Sequence, residues 1–251
     1  MFNKMISPGK ASLVLALAVM LMPLTAAAAG TGAVLQPANN DLSNVASLQR
    51  GARNFVNYCM GCHSAKYVRY NRLGADLGIS DDQMINNLMF AAEKTTETMT
   101  IAMPADDAAR WFGQAPPDLS LVARSLGTDH LYTFLRTFYV EEGRPTGVNN
   151  LVLANASMPN VLLSLQGEQR LVVETDAEGN KTSRLELVSP GTLSPEDFDQ
   201  FVRDIVNFLD YVGEPMQLER QRLGGWVIAF LLVFGLLAYL LKEEIWTDIK
   251  K

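Results

Sequence analysis

The chain has 251 residues, of which 48% are apolar and 19% charged, and its formal net charge is −6. This length suffices for one domain with additional segments, and the acidic balance argues against nucleic-acid binding. The negative charge suits a basic partner attracted electrostatically, and ordinary solubility is the alternative explanation. The apolar residues are concentrated in two segments, one near each end of the chain.

Residues 1–29 have the layout of a secretory signal peptide. Two lysines precede an apolar run over residues 11–21, and a run of alanines at 26–29 resembles a cleavage site. An uncleaved membrane anchor is the alternative, but the apolar run is too short for a comfortable span. We therefore predict cleavage near Ala29, export to an oxidising compartment, and a mature charge near −6 − 2 = −8.

Hydrophobic periodicity and turn signals predict a mainly helical region between the two apolar segments. The helix at Ser80 opens with a capping-box pattern, and the helix at Ser194 opens with Ser-Pro-Glu-Asp. In the first half of the domain we predict an extended lead-in over 30–46, a helix from about Ser47 to Cys59, a helix from Ser80 to about Glu93, and mainly loop over 94–117. Short helices are then predicted over 118–126 and 129–139, the second capped by Thr128, followed by a loop over 141–150. A β-hairpin of 170–175 and 182–188 and a helix from Ser194 to Gly213 complete the domain.

The second apolar segment, residues 223–241, predicts a transmembrane helix. Its 19 residues carry no charge and cover about 28 Å as a helix, close to the thickness of the hydrocarbon layer. Trp226 and Tyr239 lie near its ends, where amphipathic rings prefer to be. A buried core helix is the alternative, but no side of this segment is polar.

The predicted organisation of the chain is a signal peptide at 1–29, an exported domain at 30–213, a connector at 214–222, a membrane span at 223–241 and a cytoplasmic tail at 242–251.

The chemistry of the chain is concentrated in Cys59-Met60-Gly61-Cys62-His63, which fits the C-x-x-C-H attachment site of c-type haem. Two thiols three residues apart on a tight turn can reach both vinyl groups of one porphyrin. The adjacent histidine then lies under the ring, where a neutral imidazole can bind iron. Both cysteines of the chain belong to this motif.

Three other uses of the motif compete with haem attachment. A thioredoxin-like redox pair expects a preceding strand, whereas the preceding pattern here is helical. A structural zinc site needs two further ligands, and His130 is the other histidine of the chain. A plain disulfide would leave His63 unexplained.

A sixth iron ligand is expected from a methionine, which would raise the redox potential. Met60 is held within the attachment loop, and Met84 and Met89 belong to a predicted helix where core packing is the simpler role. Met103 and Met158 each precede a proline, which keeps the preceding residue extended, so either could reach the iron from a loop. Spacing alone gives Met158 a narrow preference.

Several polar residues are weaker candidates for the same site. His130 could be an axial ligand, although a partly exposed side chain on a short helix is the simpler interpretation. Arg110 and Arg124 could pair with haem propionates, since the guanidinium fork suits carboxylates. Glu141-Glu142 and Asp106-Asp107 could belong to a docking face or could be solvated loop charges.

Several further stretches accompany the motif in a fixed order along the chain. They are Arg50-Gly51 before it, then Tyr67-Val68-Arg69-Tyr70, Pro116-Pro117-Asp118-Leu119-Ser120, Arg144-Pro145-Thr146-Gly147-Val148 and Met158-Pro159. Together with the helix from Ser194 and the C-terminal anchor, this ordered set resembles the cytochrome c1 family of the ubiquinol–cytochrome c oxidoreductase, the cytochrome bc1 complex. The resemblance covers essentially the whole mature chain, and the short loop before Met158 resembles bacterial members.

The resemblance implies a mainly α fold: a class I cytochrome c-like haem domain with loop and small β-hairpin insertions, plus one C-terminal transmembrane helix. It also implies one covalent haem c, attached through thioethers to Cys59 and Cys62. His63 would be the proximal iron ligand and Met158 the distal one, which decides against Met103.

The resemblance further implies that Pro116 and Pro117 line the haem pocket and that Arg124 lies near a propionate. Leu126 stands where the family usually has a second basic residue, so the identity of the propionate partner is open.

The implied function is a one-electron relay by a subunit of a quinol–cytochrome c reductase. A Rieske iron–sulfur protein would reduce the haem, and a c-type cytochrome would accept the electron. The expected partners are the cytochrome b subunit, the Rieske protein, the acceptor and the lipid bilayer, in a dimer of the whole complex. The haem domain would lie on the periplasmic side of a bacterial inner membrane.

Three alternatives remain from the sequence. One is a free-standing membrane-anchored cytochrome that feeds a terminal oxidase. The second is an exported thiol–disulfide enzyme, and the third is a haem-based sensor with a displaceable sixth ligand.

Overall fold

The computed structural model describes residues 34–175 and 181–247. The predicted signal peptide, the turn of the predicted hairpin and the end of the predicted tail lie outside these residues. The elements are α1 (Val45–Tyr58), β1 (Ala65–Arg69), α2 (Tyr70–Leu77), α3 (Asp81–Asn87), β2 (Thr98–Met99), α4 (Ala105–Phe112), α5 (Val122–Leu126), α6 (Thr128–Arg136), β3 (Phe138–Val140), β4 (Val148–Asn150), α7 (Leu163–Gln166), β5 (Gly167–Thr175), β6 (Lys181–Pro190), α8 (Pro195–Gly213) and α9 (Gln217–Trp246).

Helices α1 and α8 pack directly on each other at the centre of the domain. A Cβ placed on Gly51 of α1 would lie 2.0 Å from the carbonyl oxygen of Asp204 and 2.7 Å from Cβ of Phe208, both on α8. The rings of Phe55 and Phe208 meet beside this point, with centroids 5.5 Å apart. The absence of a side chain at Gly51 therefore allows the two backbones to approach this closely.

A buried carboxylate adds polar contacts to the same helix pair. Asp204 is 2% exposed and accepts hydrogen bonds from Ser47 Oγ (2.7 Å), Arg50 Nε (2.6 Å) and Gln200 Nε2 (2.8 Å). The hydrogen bond from Arg50 to Asp204 raises the pKa of the guanidinium. The buried charge is thus paired and hydrogen-bonded, as a charge in a protein interior must be.

The capping box at Ser80 is confirmed, but α3 ends at Asn87 rather than near Glu93. The amide of Met89 donates to the carbonyl of Met84 in a widened turn. The side chain of Asn87 also donates to a carbonyl one turn earlier. Such local side-chain bonds to the backbone compete with continuation of a helix.

The prediction that residues 94–117 are mainly loop missed α4, which occupies Ala105–Phe112. This helix begins after Pro104 and has acidic residues in its first turn, which favour its N-terminus. The short antiparallel ribbons β1–β2 and β3–β4 were also not predicted. Strands of two to five residues carry too little alternation to be recognised.

The two short helices before β3, α5 and α6, have bounds that differ from the predicted ones. Residues 118–121 are not helical, and α6 ends at Arg136. Gly127 is the residue before α6 and has φ of +88°. Thr128 is the first helical residue, so the prediction that it caps the helix is wrong.

The predicted hairpin is confirmed and is longer than expected. Strands β5 and β6 are antiparallel, with Leu171 opposite Leu185 and Gly167 opposite Pro190. The mainly α architecture with small strand pairs agrees with the sequence prediction.

Helix α9 continues through most of the predicted connector into the predicted span. Residues 217–222 are helical, and the long apolar side chains that follow are exposed. Within the described part of the chain, α9 is the one helix long and apolar enough to cross a membrane. Glu214, just before it, binds both Arg124 of α5 and Arg220 of α9, so side-chain contacts join the start of this helix to the domain.

Candidate functional site

The segment from Cys59 to His63 forms a tight turn at the C-terminal end of α1. The amide of Cys59 donates to the carbonyl of Phe55 (2.8 Å), which ends the helix. The amides of Cys62 and His63 both donate to the carbonyl of Cys59, at 3.1 and 2.9 Å. The turn therefore wraps around one carbonyl oxygen, and both thiols are free.

The imidazole of His63 has a defined partner on one side of its ring. Nδ1 lies 2.7 Å from the carbonyl oxygen of Pro117, so Nδ1 carries the proton and donates it. Burial lowers the pKa of His63, which favours the neutral ring. Nε2 is then left with a lone pair, the form in which histidine binds a metal.

The stretch Pro116–Ser120 is linked to the residues that follow His63. The contacts join backbone and side-chain groups of this stretch to backbone groups after His63, and they fix the carbonyl that orients the imidazole. They are Leu119 N to Ser64 O at 2.8 Å, Lys66 N to Asp118 Oδ2 at 3.0 Å, and Tyr67 N to Ser120 Oγ at 3.2 Å.

Two adjoining cavities form one cleft beside this turn. Their volumes are about 80 and 200 Å³. Both are lined mainly by apolar atoms. The residues common to both cavities are Cys59, His63, Gln114, Pro117, Ser157 and Met158.

The cleft brings together six of the seven site residues that the resemblance implies, all except Arg124. Cys62 and Pro116 line the smaller cavity, and His130 lines the larger one. Met103 instead lines a separate cavity with Met60 and Gly61. Of these two candidate methionines, Met158 is therefore the one that lines the same cavities as His63.

The two arginines considered for the propionates have partners elsewhere. Arg124 binds Glu214, and Arg110 binds Asp107 within α4. Neither is among the described residues that line the two cavities. The structure thus places Arg124 near the start of α9, on Glu214.

Some lining residues were missed by the sequence analysis. Gln114 and Ser157 line both cavities, while Tyr58 and Phe112 line the smaller one. Ser157 could have been inferred as the neighbour of Met158, and Tyr58 as the neighbour of Cys59. Gln114 belongs to no motif, so nothing in the sequence marks it.

The donor set of the cleft fits a covalently attached haem. Two free thiols, a neutral imidazole and a thioether converge on an apolar space, and imidazole with thioether is a typical axial pair for iron in electron-transfer cytochromes. The apolar lining suits the faces of a porphyrin.

The competing uses of the motif do not fit. Burial raises the pKa of the Cys59 thiol to about 12, with a smaller contribution from Cys62, whereas a redox-active cysteine needs a lowered pKa. Helix α1 rather than a strand precedes the motif. Among the described residues, no group of three His, Cys, Asp or Glu side chains could hold a metal ion such as zinc.

Comparison with known proteins agrees with this site. The sequence model of the Cytochrome C1 family matches residues 40–249. Cytochrome c1 of Allochromatium vinosum is 50% identical over 240 residues, covering 94% of this chain and 98% of that protein. A protein of Nitrosomonas europaea named ammonia monooxygenase gamma subunit is 43% identical, covering 94% of this chain and 97% of its own.

A third relative is larger. Cytochrome b/c1 of Bradyrhizobium diazoefficiens is 28% identical over 80% of this chain, and the match covers 33% of that protein. The resemblance to a bacterial cytochrome c1 is therefore confirmed, and with it a haem c cofactor and a role in respiratory electron transport. The chain belongs to the cytochrome c1 family of membrane-anchored electron-transfer cytochromes.

Proposed function

We propose that this chain relays single electrons from a Rieske iron–sulfur protein to a c-type cytochrome during quinol oxidation by a cytochrome bc1 complex. One haem c would be attached through thioethers to Cys59 and Cys62, with His63 and Met158 as axial ligands. The observation that carries the proposal is that thiols, imidazole and thioether line one apolar cleft.

The residues of the chain have separate tasks in this relay, and the haem supplies the one-electron chemistry when bound. The carbonyl of Pro117 holds His63 in the tautomer that can bind iron. Met158 would hold the iron through its thioether from the same cleft. The apolar walls exclude water, which limits the rearrangement that accompanies each transfer.

The proposed setting is a bacterial inner membrane. α9 would span it once, with the haem domain on the periplasmic side, residues 242–251 in the cytoplasm, and residues 1–29 removed as a signal peptide. The name of the Bradyrhizobium relative joins cytochromes b and c1, which supports a cytochrome b subunit as partner. We propose that the whole complex is a dimer, as expected from the resemblance.

Covalent attachment is tested with the Cys59→Ala, Cys62→Ala double variant. After a denaturing gel, we expect haem-peroxidase staining of the wild-type band and none of the variant, because no other cysteine can form a thioether. Protein staining of both bands is the control for expression. Absence of a haem stain from exported, matured wild type would contradict the assignment.

Membership of the complex is tested by mild detergent extraction and affinity purification of the full chain. Recovery of a cytochrome b and a Rieske protein, with quinol-dependent reduction of the haem, is expected. Recovery without them, together with electron delivery to a terminal oxidase, would favour the free-standing cytochrome instead.

The predicted proximity of Arg124 to a propionate is tested by Arg124→Gln. A propionate contact predicts a lower midpoint potential for this variant than for the wild type, because loss of a nearby positive charge favours the oxidised haem. Arg220→Gln is the matched control, because Arg220 binds the same carboxylate of Glu214 but belongs to α9. Equal potentials in both variants would rule out the propionate contact.

A further inference from the structure

Two buried asparagines lie next to each other on β4, just before the loop that carries Met158. Asn149 is 4% exposed and Asn150 is 2% exposed. Strand β4 pairs with β3, with Phe138 opposite Asn150 and Tyr139 opposite Asn149. Buried carboxamides are costly unless their groups are hydrogen-bonded, so their partners indicate what they hold.

Asn150 joins the end of α6 to the start of the Met158 loop. Its Nδ2 donates to the carbonyl of Phe134 at 2.8 Å. Its Oδ1 accepts from the amides of Val152 (2.9 Å) and Leu153 (3.2 Å). One side chain thus fixes the first turn of the loop against the preceding helix.

Asn149 holds the loop closer to Met158. Its Oδ1 accepts from the amide of Asn155 at 2.8 Å, and its Nδ2 donates to Glu141 Oε2 at 2.8 Å. Asn155 has φ of +64°, a left-handed conformation that the bond to its amide helps to maintain. The carboxylate of Glu141 also binds Arg144, so the chain of contacts runs from the Arg144 turn to a residue three positions before Met158.

Apolar packing acts on the same loop. Phe138, Val148 and Ala156 form a small buried cluster, and Phe134 and Met158 pack against it. The rings of Phe134 and Phe138 meet edge to face, with centroids 5.0 Å apart. Met158 is therefore held through the β3–β4 ribbon as well as through its own loop.

We propose that Asn149 and Asn150 are positioning residues that keep the Met158 thioether in the cleft and so preserve the sixth ligand. The inference rests on the proposed function, because it takes Met158 as the iron ligand. Neither asparagine lines the cleft; both act through backbone groups of the loop. Without their bonds the loop would populate open conformations in which the thioether leaves the iron.

The test uses Asn149→Ala in the full, haem-loaded chain, with Asn207→Ala as matched control. Asn207 is 2% exposed, and its Nδ2 donates to Asp41 O (2.8 Å) and Ser47 Oγ (3.1 Å), in the α1–α8 region. Both variants lose buried amide bonds and some thermal stability. The readouts are the charge-transfer absorption band of methionine-ligated ferric haem and the apparent affinity for cyanide.

We expect Asn149→Ala to weaken the band and to raise the apparent cyanide affinity by about tenfold. Cyanide binds the open conformation of the loop, so its apparent affinity rises in proportion to the population of that conformation. Asn207→Ala should keep the wild-type band and affinity below its unfolding transition. Equal cyanide affinities in Asn149→Ala and Asn207→Ala would overturn the inference.

A milder variant covers the case in which Asn149→Ala does not accumulate. Glu141 is partly exposed, and Glu141→Gln removes the negative charge of the group that accepts the hydrogen bond from Nδ2 of Asn149. A smaller weakening of the band and a smaller rise in cyanide affinity are expected. An unchanged band and affinity in Glu141→Gln would then overturn the inference. A wild type without the band would instead refute Met158 ligation itself, which separates failure of the proposed function from failure of this inference.

Discussion

Replacing Met158 by leucine is expected to change the redox potential of the site strongly. Leucine retains most of the apolar volume but has no sulfur to bind iron. Since methionine ligation raises the potential of c-type haem, we expect the midpoint potential to fall by on the order of 100 mV or more. Carbon monoxide should bind the reduced variant through the vacated position.

The matched control is Met103→Leu. Met103 also precedes a proline, but it lines the separate cavity with Met60 and Gly61. Its replacement should leave the potential unchanged and carbon monoxide excluded. The reverse pattern in a redox titration would assign the ligand to Met103, and carbon monoxide binding by the wild type would favour a haem-based sensor.

Gly51→Ala is expected to cause a large loss of stability. The added Cβ would lie 2.0 Å from the carbonyl oxygen of Asp204, a backbone atom that can move only if α8 moves. Overpacking of this kind costs about 3 kcal/mol of unfolding free energy. In a domain of this size that lowers Tm by on the order of 10 °C, measurable by the loss of haem-region circular dichroism on heating.

Gly224→Ala is the control for this prediction. Gly224 is also helical, in α9, but an added Cβ would meet nothing within 4 Å. Alanine there should not lower Tm, since it adds no close contact and favours helix. A fall in Tm of similar size in both variants would mean that loss of glycine, rather than the contact with α8, is responsible.

Local chemistry explains what could be predicted from the sequence. The attachment motif carries its meaning in its spacing, and the structure adds only the Pro117 carbonyl that orients His63. The apolar stripe along α8 and the uniformly apolar run in α9 are long enough to be recognised in the sequence. Met158 could be singled out from the residues only as one of two candidates, because its position depends on how the loop returns to the cleft.

Long-range contacts explain what could not be predicted. Nothing around Gly51 in the sequence indicates that it faces Asp204, which lies on the last helix of the domain. Asn149 and Asn150 look like ordinary loop residues until Glu141, Phe134 and the amides of the Met158 loop are seen around them. For Arg124, the family resemblance indicates a propionate as its partner, and no signal in the sequence points to its ion pair with Glu214.

The continuity of α9 with the predicted connector has a consequence for the orientation of the molecule. Only residues 214–216 separate α8 from α9, and Glu214 binds Arg124 of α5 and Arg220 of α9. Each residue inserted into a helix turns everything beyond it by about 100° and shifts it by about 1.5 Å. The number of helical residues between Gln217 and Trp226 therefore sets how the cleft is rotated about the axis of α9. An insertion there would turn the cleft away from a neighbouring subunit without changing any residue that lines the cleft.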